Sequence, residues 1–461
     1  MNARRRTAIL NVVGLTQRLM EHTPYIRDFA RKRGARAIEP VLPAVTCTAQ
    51  STYLTGELPR VHGVVANGWY DRAYAEHRFW KQSNRLVEAP KLWEKLRQRR
   101  PDFSCAQLFW WYNMYASVNY SITPRPLYLS DGKKVFDIHT QPMHLRDNIK
   151  DDLGNFPFRY FWGPASGLPS SEWIAASARW IEQKRSPDLS LIYLPHLDYN
   201  LQRLGPEHPA IRQDLKAIDG LVNELVAALE TRGVVVAILS EYGITPVSKP
   251  VHLNRRFRQQ NWLSIKEELG TETLDLGGCE AFALADHQIA HVYLQHGQSV
   301  AEVKALVEGL DGVERVLDDE GKRAIGLDHP RSGELVAIAA RDRRFSYYYW
   351  QDDDRAPDFA RTVDIHRKPG FDPVELFVDP AIRFPPLAIG WRLAKRRLGF
   401  RTLLDVISLR DTQLVKGAHG RLPDDPGEGP VVISSEPELM PAGPVAAAAF
   451  KDLVLDHVFG R

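Results

Sequence analysis

Cysteine is scarce in this chain of 461 residues, and its scarcity argues against two kinds of stabilised scaffold. The three cysteines, Cys47, Cys105 and Cys279, form no CxxC pair. Neither a disulfide framework nor a zinc site built from cysteines is therefore supported. Such cysteine usage fits a reducing compartment, so we expect a cytoplasmic protein.

Long apolar runs and a charge imbalance are also missing. No apolar stretch approaches the roughly 20 residues that a helix needs to span a bilayer, so we expect no membrane span. The run Ala8–Val13 follows a basic start, but it is too short for a signal peptide and lacks a small-residue cleavage site, so we predict a first strand. Lysine and arginine number 60 against 57 acidic residues, a net charge of +3, which argues against a general nucleic-acid binder.

The densest basic cluster lies in the stretch WRLAKRRLG, which contains Arg392, Lys395, Arg396 and Arg397. If this stretch is helical, the first three share one face and Arg397 lies towards its edge. Such a cluster is more often a solvated surface than a binding site, and contact with phosphate groups or with a membrane is the alternative.

Strand and helix patterns alternate along the chain. The apolar stripe of the helix that begins at Ile211 is followed by the apolar strand Val234–Leu239, which is typical of a buried parallel sheet. The alternation predicts an α/β fold with a mostly parallel central sheet. We expect a single domain over residues 1–461, with a cap or insertion at 112–169, where periodicity fails. The other predicted helices are Pro24–Lys32, Pro90–Arg100, Ser171–Lys184, Ser299–Leu310 and Val445–Phe459, and the other predicted strands are Cys105–Trp111, Leu189–Leu194, Ile289–Leu294, Leu335–Ala340, Phe345–Trp350 and Pro430–Ser434, with a surface loop at Gln351–Pro373.

A hydroxyl residue, Thr46, stands just ahead of the helix-compatible run Thr48–Thr55, for which Gly56 is the predicted stop. An anion bound there would meet free backbone N–H groups and the positive end of the helix. Taken alone, a Thr before a helix is more often an N-cap than a nucleophile.

Polar side chains follow two predicted strands and precede a third. Asp198 and Gln202 come after the first, Glu241 and Tyr242 after the second, and His419 before the last. Ligands of doubly wound sheets bind beyond the carboxyl ends of the strands, where an Asp, a Glu and a His could hold a divalent cation. Each residue also has an ordinary structural role as a cap, a strand-end hydrogen bond or a turn residue.

The stretch PAVTCTAQSTYLTGELPRVHGVVANGWYD resembles the nucleophile segment of the type I phosphodiesterase/nucleotide pyrophosphatase family, a branch of the alkaline phosphatase superfamily. The family pattern is a Pro, a nucleophilic Thr, then T-G-x-x-P-x-x-H-G and an Asn, which Thr46, Thr55-Gly56, Pro59, His62-Gly63 and Asn67 match. The segments LDYNLQRLGPEHP, LSEYGI and KGAHGR resemble the family's metal-binding segments. The resemblance implies an alkaline-phosphatase-like fold, with helices on both faces of the sheet, and a two-zinc hydrolase in which Thr46 attacks phosphorus.

The chain departs from the family pattern at the metal ligands. Val13 and Gln202 replace an Asp and a His, and Glu241-Tyr242 replaces an Asp-His pair. Valine cannot bind a metal, and neutral Gln and Tyr are poor zinc ligands, so we expect one divalent ion, such as zinc, rather than two. Other histidines that could compensate are His252 and His291. The expected metal ligands are Asp198, Glu241, His419, Gln202, His366 and His287, and the expected substrate-binding residues are Asn67, Gln50 and Lys368.

Three functions remain open at this point. The first is metal-assisted hydrolysis of a small-molecule phosphate mono- or diester through Thr46. The second is a catalytically impaired family member that binds an anionic ligand or a protein partner. The third is chemistry on a different group, such as a phosphonate or a sulfate. The oligomeric state is left open.

Overall fold

A nine-stranded mixed sheet forms the centre of the protein. The computed structural model describes residues 5–131, 133–363, 368, 370–400, 402–410 and 412–460. The middle of the sheet is parallel, with Arg6–Val12 between Leu189–Leu194 and Val234–Leu239. These strands are almost wholly apolar and buried, as expected for a sheet covered on both faces. In spatial order the strands are Val445–Ala446, Ala35–Glu39, Val431–Ser434, Val234–Leu239, Arg6–Val12, Leu189–Leu194, Cys105–Leu108, Tyr120–Tyr128 and Lys134–Gln141.

Two groups of helices pack against this sheet. Leu168–Arg185 and Ile211–Glu230 pack on each other and on the sheet, and the predicted apolar stripe of the second is buried throughout. Phe450–Phe459 packs on Thr46–Thr55 and on the first strand. The main helices are Pro24–Arg33, Thr46–Thr55, Leu92–Arg99, Leu145–Leu153, Leu168–Arg185, His196–Leu204, Ile211–Glu230, Val300–Glu308, Pro385–Arg397 and Phe450–Phe459, and the shorter ones are Gln17–Met20, Pro59–His62, Leu253–Gln259 and Asp319–Ile325.

A second, antiparallel sheet has a hydrophobic cluster of its own. Its strands, in spatial order, are Ala281–Asp286, Ile289–Leu294, Leu335–Ala339 and Val313–Leu317. The turn between its first two strands carries His287 into the site described below. Four two-stranded pairs complete the described strands: Gly68–Asp71 with Glu76–Phe79, Thr245–Pro246 with Gly417–Ala418, Lys249–Val251 with Arg343–Phe345, and Ile265–Glu268 with Thr271–Leu274.

The structure differs from the sequence prediction in several segments. Val445–Ala446, predicted as the start of the last helix, is an edge strand of the large sheet, and the helix begins at Phe450. The region 112–169 does not simply cover a sheet face, because Tyr120–Tyr128 and Lys134–Gln141 extend the large sheet at its edge. The predicted strand Phe345–Trp350 is extended only to Phe345, after which the rings of Tyr347–Trp350 are buried in an irregular stretch. Proline, asparagine and aromatic residues hide the period-two alternation of a strand in the segment 112–169, and the buried aromatic residues of Tyr347–Trp350 imitate the pattern of a strand.

Candidate active site

Thr46 is the first residue of the helix Thr46–Thr55, whose ten residues are all buried. We predicted that Thr46 would precede the helix, but the helix begins two residues earlier than expected and Val45 is its N-cap. The predicted stop is confirmed, since Gly56 has φ +68°, a left-handed conformation that glycine adopts without strain. The Thr46 hydroxyl therefore sits at the positive end of a ten-residue helix.

The Thr46 hydroxyl is the end of a hydrogen-bonded chain. Its oxygen lies 3.1 Å from the hydroxyl of Tyr242, and that hydroxyl donates to Asp198 Oδ1 at 3.2 Å. All three side chains are buried. Tyr242 and Asp198 follow the two parallel strands that flank Arg6–Val12, so their side chains meet at one edge of the sheet, as the sequence predicted.

Asp198 and Gln202 lie one turn apart on the helix His196–Leu204. Gln202 Nε2 donates to Asp198 Oδ2 at 2.6 Å, so both carboxyl oxygens already have a donor. Burial raises the pKa of Asp198 to about 7 in spite of these two hydrogen bonds. Arg203 of the same helix donates to the carbonyl oxygens of Gly163 and Leu376, and thereby ties two loops to this helix.

Glu241 is held by two amides instead of a cation. Asn11 Nδ2 and Gln50 Nε2 both donate to its Oε1 at 2.5 Å, while its Oε2 is buried without a hydrogen-bond partner among the described residues. Burial raises the pKa of Glu241 to about 8. Val13 is an apolar core residue, so the polar group that the first strand supplies is Asn11. The sequence signal for Asn11 is its position as the one polar residue inside the first apolar run.

Asn67 is fixed by contacts on both sides of its amide. Its Oδ1 accepts from the Cys47 backbone N–H at 2.9 Å, and its Nδ2 donates to Asp286 Oδ1 at 3.0 Å. Burial raises the pKa of Asp286 to about 7. Asn67 thus orients the first turn of the Thr46 helix, and Asp286 supports it.

Two neutral histidine rings lie beside the tyrosine. His419 stacks on Tyr242 with ring centroids 3.7 Å apart and an angle of 4° between the planes, and His287 lies 3.8 Å from His419 on the other side. Burial lowers the pKa of His419 to about 3, and burial also lowers the pKa of His287. Since neutral His419 Nδ1 lies 2.9 Å from the carbonyl oxygen of Ala44, Nδ1 carries the proton and Nε2 is free to accept one.

The donor set does not fit the two-zinc centre that the resemblance implies. Among the residues that the structure describes, no three His, Cys, Asp or Glu side chains form a group that could hold a metal ion. The Gln202 amide and the Tyr242 hydroxyl donate to Asp198, and two further amides donate to Glu241. Protein hydrogen bonds therefore take the place of cations at these two carboxyl groups.

A cavity of about 50 Å³ opens beside Thr46. The site residues that line it are Thr46, Asp198, Gln202, Tyr242, His287 and His419, whereas Glu241 and Asn67 do not. No lysine or arginine of the described chain lines it. Most of the remaining wall is aromatic, and the Phe371 ring contacts three of its neighbours. The centroid of the Phe371 ring lies 5.0 Å from that of Trp80, 4.8 Å from that of His287 and 6.0 Å from that of Trp162. Ligand pockets usually measure about 300–1,000 Å³, so this cavity is much smaller than a typical ligand pocket. We call the aromatic side chains that narrow it the aromatic lid, and they are Trp80, Trp111, Phe161, Trp162 and Phe371.

Several predicted residues lie away from the cavity. Lys368 is buried in an ion pair with Glu375, with Nζ 2.9 Å from Oε1, so its ammonium group is engaged by a carboxylate. His252 bonds to Ser346, and His291 lies 3.1 Å from the carbonyl oxygen of Val65. His366 lies outside the described residues.

The aromatic residues that the sequence offers for a pocket, in and just before the segment 112–169, are Trp110, Trp111, Tyr112, Tyr115, Tyr120 and Tyr128. Of these, Trp111 lines the cavity. The remaining lid residues were missed because an isolated Trp or Phe in a loop carries no periodic signal.

Comparisons with known proteins place this chain in a family. The sequence profile of the type I phosphodiesterase/nucleotide pyrophosphatase family matches residues 7–372. An uncharacterised pyrophosphatase/phosphodiesterase of Schizosaccharomyces pombe is 25% identical over 248 residues, which is 52% of this chain and 43% of that protein. The chain thus matches less than half the length of this curated relative.

Solved structures share the fold at low sequence identity. Phosphonoacetate hydrolase from Sinorhizobium meliloti, in complex with phosphonoformate, superposes with a TM-score of 0.63 at 14% identity, over 98% of this chain and 96% of that one. Murine ectonucleotide pyrophosphatase/phosphodiesterase 5, in complex with AMP, gives 0.58 at 14% identity, over 99% and 95%. The large mixed sheet with its helices is thus the expected alkaline-phosphatase-like α/β fold.

No helix in the described parts of the chain combines the length and the hydrophobicity needed to cross a bilayer. The family profile covers most of the chain, including Thr46, Asp198 and Glu241. This protein belongs to the type I phosphodiesterase/nucleotide pyrophosphatase family.

Proposed function

We propose that the protein hydrolyses phosphodiesters with Thr46 as the nucleophile and Asp198 as the base that activates it through Tyr242. The observation that carries this proposal is the chain of hydrogen bonds from Thr46 Oγ1 through the Tyr242 hydroxyl to Asp198 Oδ1. A nucleophile joined to a base that a further group holds in place is the arrangement found in many covalent hydrolases. Here Gln202 is the group that holds the base.

The chemical steps follow from this chain of contacts. The Thr46 oxygen forms a bond to phosphorus while the bond from phosphorus to the leaving alkoxide breaks. The Thr46 proton passes to the Tyr242 oxygen as the phenolic proton passes to Asp198, which then gives a proton to the leaving alkoxide. Water next attacks the phosphothreonine, releases the phosphate monoester and restores the Thr46 hydroxyl. Asp198, with a pKa of about 7, is suited to take and return a proton near neutral pH.

The charge of the site favours a diester over a monoester. A phosphodiester carries one negative charge, whereas a monoester carries close to two at neutral pH. The wall of the cavity supplies no lysine or arginine from the described chain, and its favourable electrostatic element is the N-terminus of the Thr46 helix. We therefore expect slow hydrolysis of monoesters compared with diesters.

Hydrolysis of bis(4-nitrophenyl) phosphate by purified wild type, Thr46→Ala and Tyr242→Phe tests the proposal. Both variants should lose at least about a hundredfold in kcat, because one removes the nucleophile and the other interrupts the path of the proton. Tyr349→Phe is the matched control: it also removes a buried tyrosine hydroxyl, one that bonds to the Glu272 carbonyl away from the cavity, and it should keep wild-type kcat.

The divalent ion expected from the resemblance stays a prediction, and dialysis against a chelator tests it. In the proposed mechanism Tyr242 and Asp198 take the proton of Thr46 without a metal, so we expect chelation to change kcat/KM by less than about twofold. A loss of more than tenfold that zinc restores would return the mechanism to a metal-assisted one, with Asp198, Glu241 and His419 as the residues to mutate first.

A second candidate function is binding without turnover. The observation that favours it is that Asp198 and Glu241 have their hydrogen-bonding needs met largely by Tyr242, Gln202, Asn11 and Gln50. If wild type and Thr46→Ala hydrolyse the diester equally slowly and bind a non-hydrolysable phosphonate diester with the same affinity, the protein is a binder rather than a hydrolase.

A further inference from the structure

The helix Pro385–Arg397 has no buried residue, which sets it apart from the core helices of the protein. Leu387, Trp391 and Leu398 are 72%, 62% and 73% exposed. Single exposed apolar residues are ordinary on a protein surface, but a contiguous group of large ones marks an interaction site. The WRLAKRR stretch is thus helical and its apolar side chains are exposed.

Three large exposed apolar residues and Ala394 form one stripe along the helix, and Leu393, which is 51% exposed, lies off it. Trp391 and Leu398 of the stripe also line an open groove between the helix and a neighbouring hairpin. Leu387, Trp391, Ala394 and Leu398 are spaced by four, three and four residues, so they lie on one side of the helix. The opposite side contacts the body of the protein through Ile389, which packs against a small apolar cluster. Arg392 lies on that inner side as well, paired with Asp405, so it does not share the outer face.

Basic residues border this stripe. Lys395 and Arg397 lie on its two sides, and between Asp379 and Asp405 the sequence contains no acidic residue. Within the described residues, no carboxylate forms an ion pair with Lys395, Arg396 or Arg397. The acidic residue that ends the segment, Asp405, is already neutralised by Arg392.

Further apolar groups lie around the helix. Phe384 and Phe400 are exposed at its two ends, and Leu269 is 93% exposed at the tip of the hairpin formed by Ile265–Glu268 and Thr271–Leu274. An open groove of about 1,090 Å³ separates this hairpin from the helix. The acidic Glu267 on the hairpin is paired with Arg355, so it does not offset the basic residues of the helix.

We propose that the outer face of the helix Pro385–Arg397 docks the protein onto the surface of an anionic lipid bilayer. An interfacial helix has apolar and aromatic residues on the face that enters the lipid and lysines and arginines beside it, which is the arrangement of Leu387, Trp391, Leu398, Lys395 and Arg397. The basic side chains would contact lipid phosphates while the stripe enters the acyl boundary. This surface is independent of the function proposed for the cavity.

Flotation of the full-length protein with vesicles tests the proposal. Wild type should bind vesicles of phosphatidylcholine mixed with phosphatidylglycerol, and should bind vesicles of phosphatidylcholine alone much less. Lys395→Gln/Arg396→Gln/Arg397→Gln should weaken the partition coefficient by about a hundredfold. Each basic residue near an anionic surface contributes a factor of about five, and the three factors multiply. Trp391→Ala/Leu398→Ala should weaken it by about tenfold or more.

The chain offers matched controls for both variants. The helix Pro24–Arg33 also ends in an exposed Arg-Lys-Arg triplet, so Arg31→Gln/Lys32→Gln/Arg33→Gln makes the same change in charge at another site. Tyr74 is 70% exposed, and Tyr74→Ala removes an aromatic ring elsewhere. Both controls should bind like wild type. All the substituted side chains are exposed, so unchanged thermal midpoints will show that the variants fold.

Four results would overturn the proposal. These are no flotation of wild type, equal losses in the Arg31 control and the Lys395 variant, binding that Trp391→Ala/Leu398→Ala leaves unchanged, and self-association in light scattering that the same double variant abolishes. The last result would assign the stripe to a contact with a second copy of the chain.

Discussion

Replacing Glu241 by glutamine should make the protein more resistant to high pH. Glutamine has the shape of glutamate and keeps an oxygen that can accept from Asn11 and Gln50. Burial raises the pKa of Glu241 from an ordinary 4.5 to about 8, so the folded protein binds this proton more tightly than the unfolded chain does. Wild-type stability therefore falls as pH rises from about 4.5, and the loss is complete above about 8.

The magnitude follows from the same two pKa values. A change from 4.5 to about 8 corresponds to about 5 kcal/mol at most between the ends of this range. With an unfolding entropy of about 2 cal/mol/K per residue, a chain of this length changes its thermal midpoint by about 1 °C per kcal/mol. We expect the midpoint of Glu241→Gln to exceed that of wild type by about 5 °C at pH 8.5, and the two to be close at pH 4.5.

Differential scanning calorimetry across this pH range makes the measurement. Asp198 and Asp286 also have raised pKa values, but both are present in the two proteins and their contributions cancel in the difference. Glu172→Gln changes an exposed carboxylate and should follow wild type at every pH. If the thermal midpoints of Glu241→Gln and wild type ran in parallel from pH 4.5 to 8.5, the carboxyl group of Glu241 would be ionised in the folded protein. The reasoning that its pKa is raised would then be refuted. A difference that emerged only after chelation would identify a bound cation as the reason.

Three further predictions follow from the site and its surroundings. The kcat/KM for a diester should rise through pH about 7 as Asp198 becomes able to accept a proton, and fall through about 8 as Glu241 ionises and adds a negative charge near Thr46. Asp198→Asn should abolish the rising limb in a stopped-flow pH profile. Phe371→Ala should lower the free energy of unfolding by about 3 kcal/mol but raise the kcat/KM ratio of a naphthyl to a methyl ester, and an unchanged ratio would show that Phe371 is no part of the lid. Lys368→Met should lower the free energy of unfolding in urea by about 3–5 kcal/mol, because it leaves Glu375 buried and unpaired. Lys368→Met/Glu375→Leu should recover most of this loss, and neither variant should change KM. A rise in KM without a loss of stability would restore the predicted contact of Lys368 with the substrate.

Strong periodic patterns made the core elements predictable. The strands Leu189–Leu194 and Val234–Leu239 have the predicted bounds, and the helix Ile211–Glu230 has the predicted buried stripe. In each of these elements, the pattern of apolar residues within a short stretch of sequence matches the burial of the element, so the sequence alone predicts it. The edge strands Tyr120–Tyr128 and Lys134–Gln141 were missed because prolines and polar residues are tolerated at a sheet edge and obscure the alternation.

The sequence predicted which residues lie at the site better than it predicted the hydrogen bonds between them. Thr46, Asp198 and His419 line one cavity, as the strand-end argument and the resemblance led us to expect. The sequence could not indicate that Tyr242 stands between Thr46 and Asp198, or that Asn11 and Gln50 share one oxygen of Glu241. Such contacts depend on side-chain directions that tertiary packing decides.

The guanidinium of Arg203 links access to the cavity with the chemistry inside it. Arg203 holds the carbonyl oxygens of Gly163 and Leu376, which flank lid segments, and it belongs to the same helix as Asp198 and Gln202. A displacement of these segments would strain the hydrogen bonds of Arg203, which belongs to the helix that carries the base. The position of Asp198 therefore depends on the segments that close the cavity.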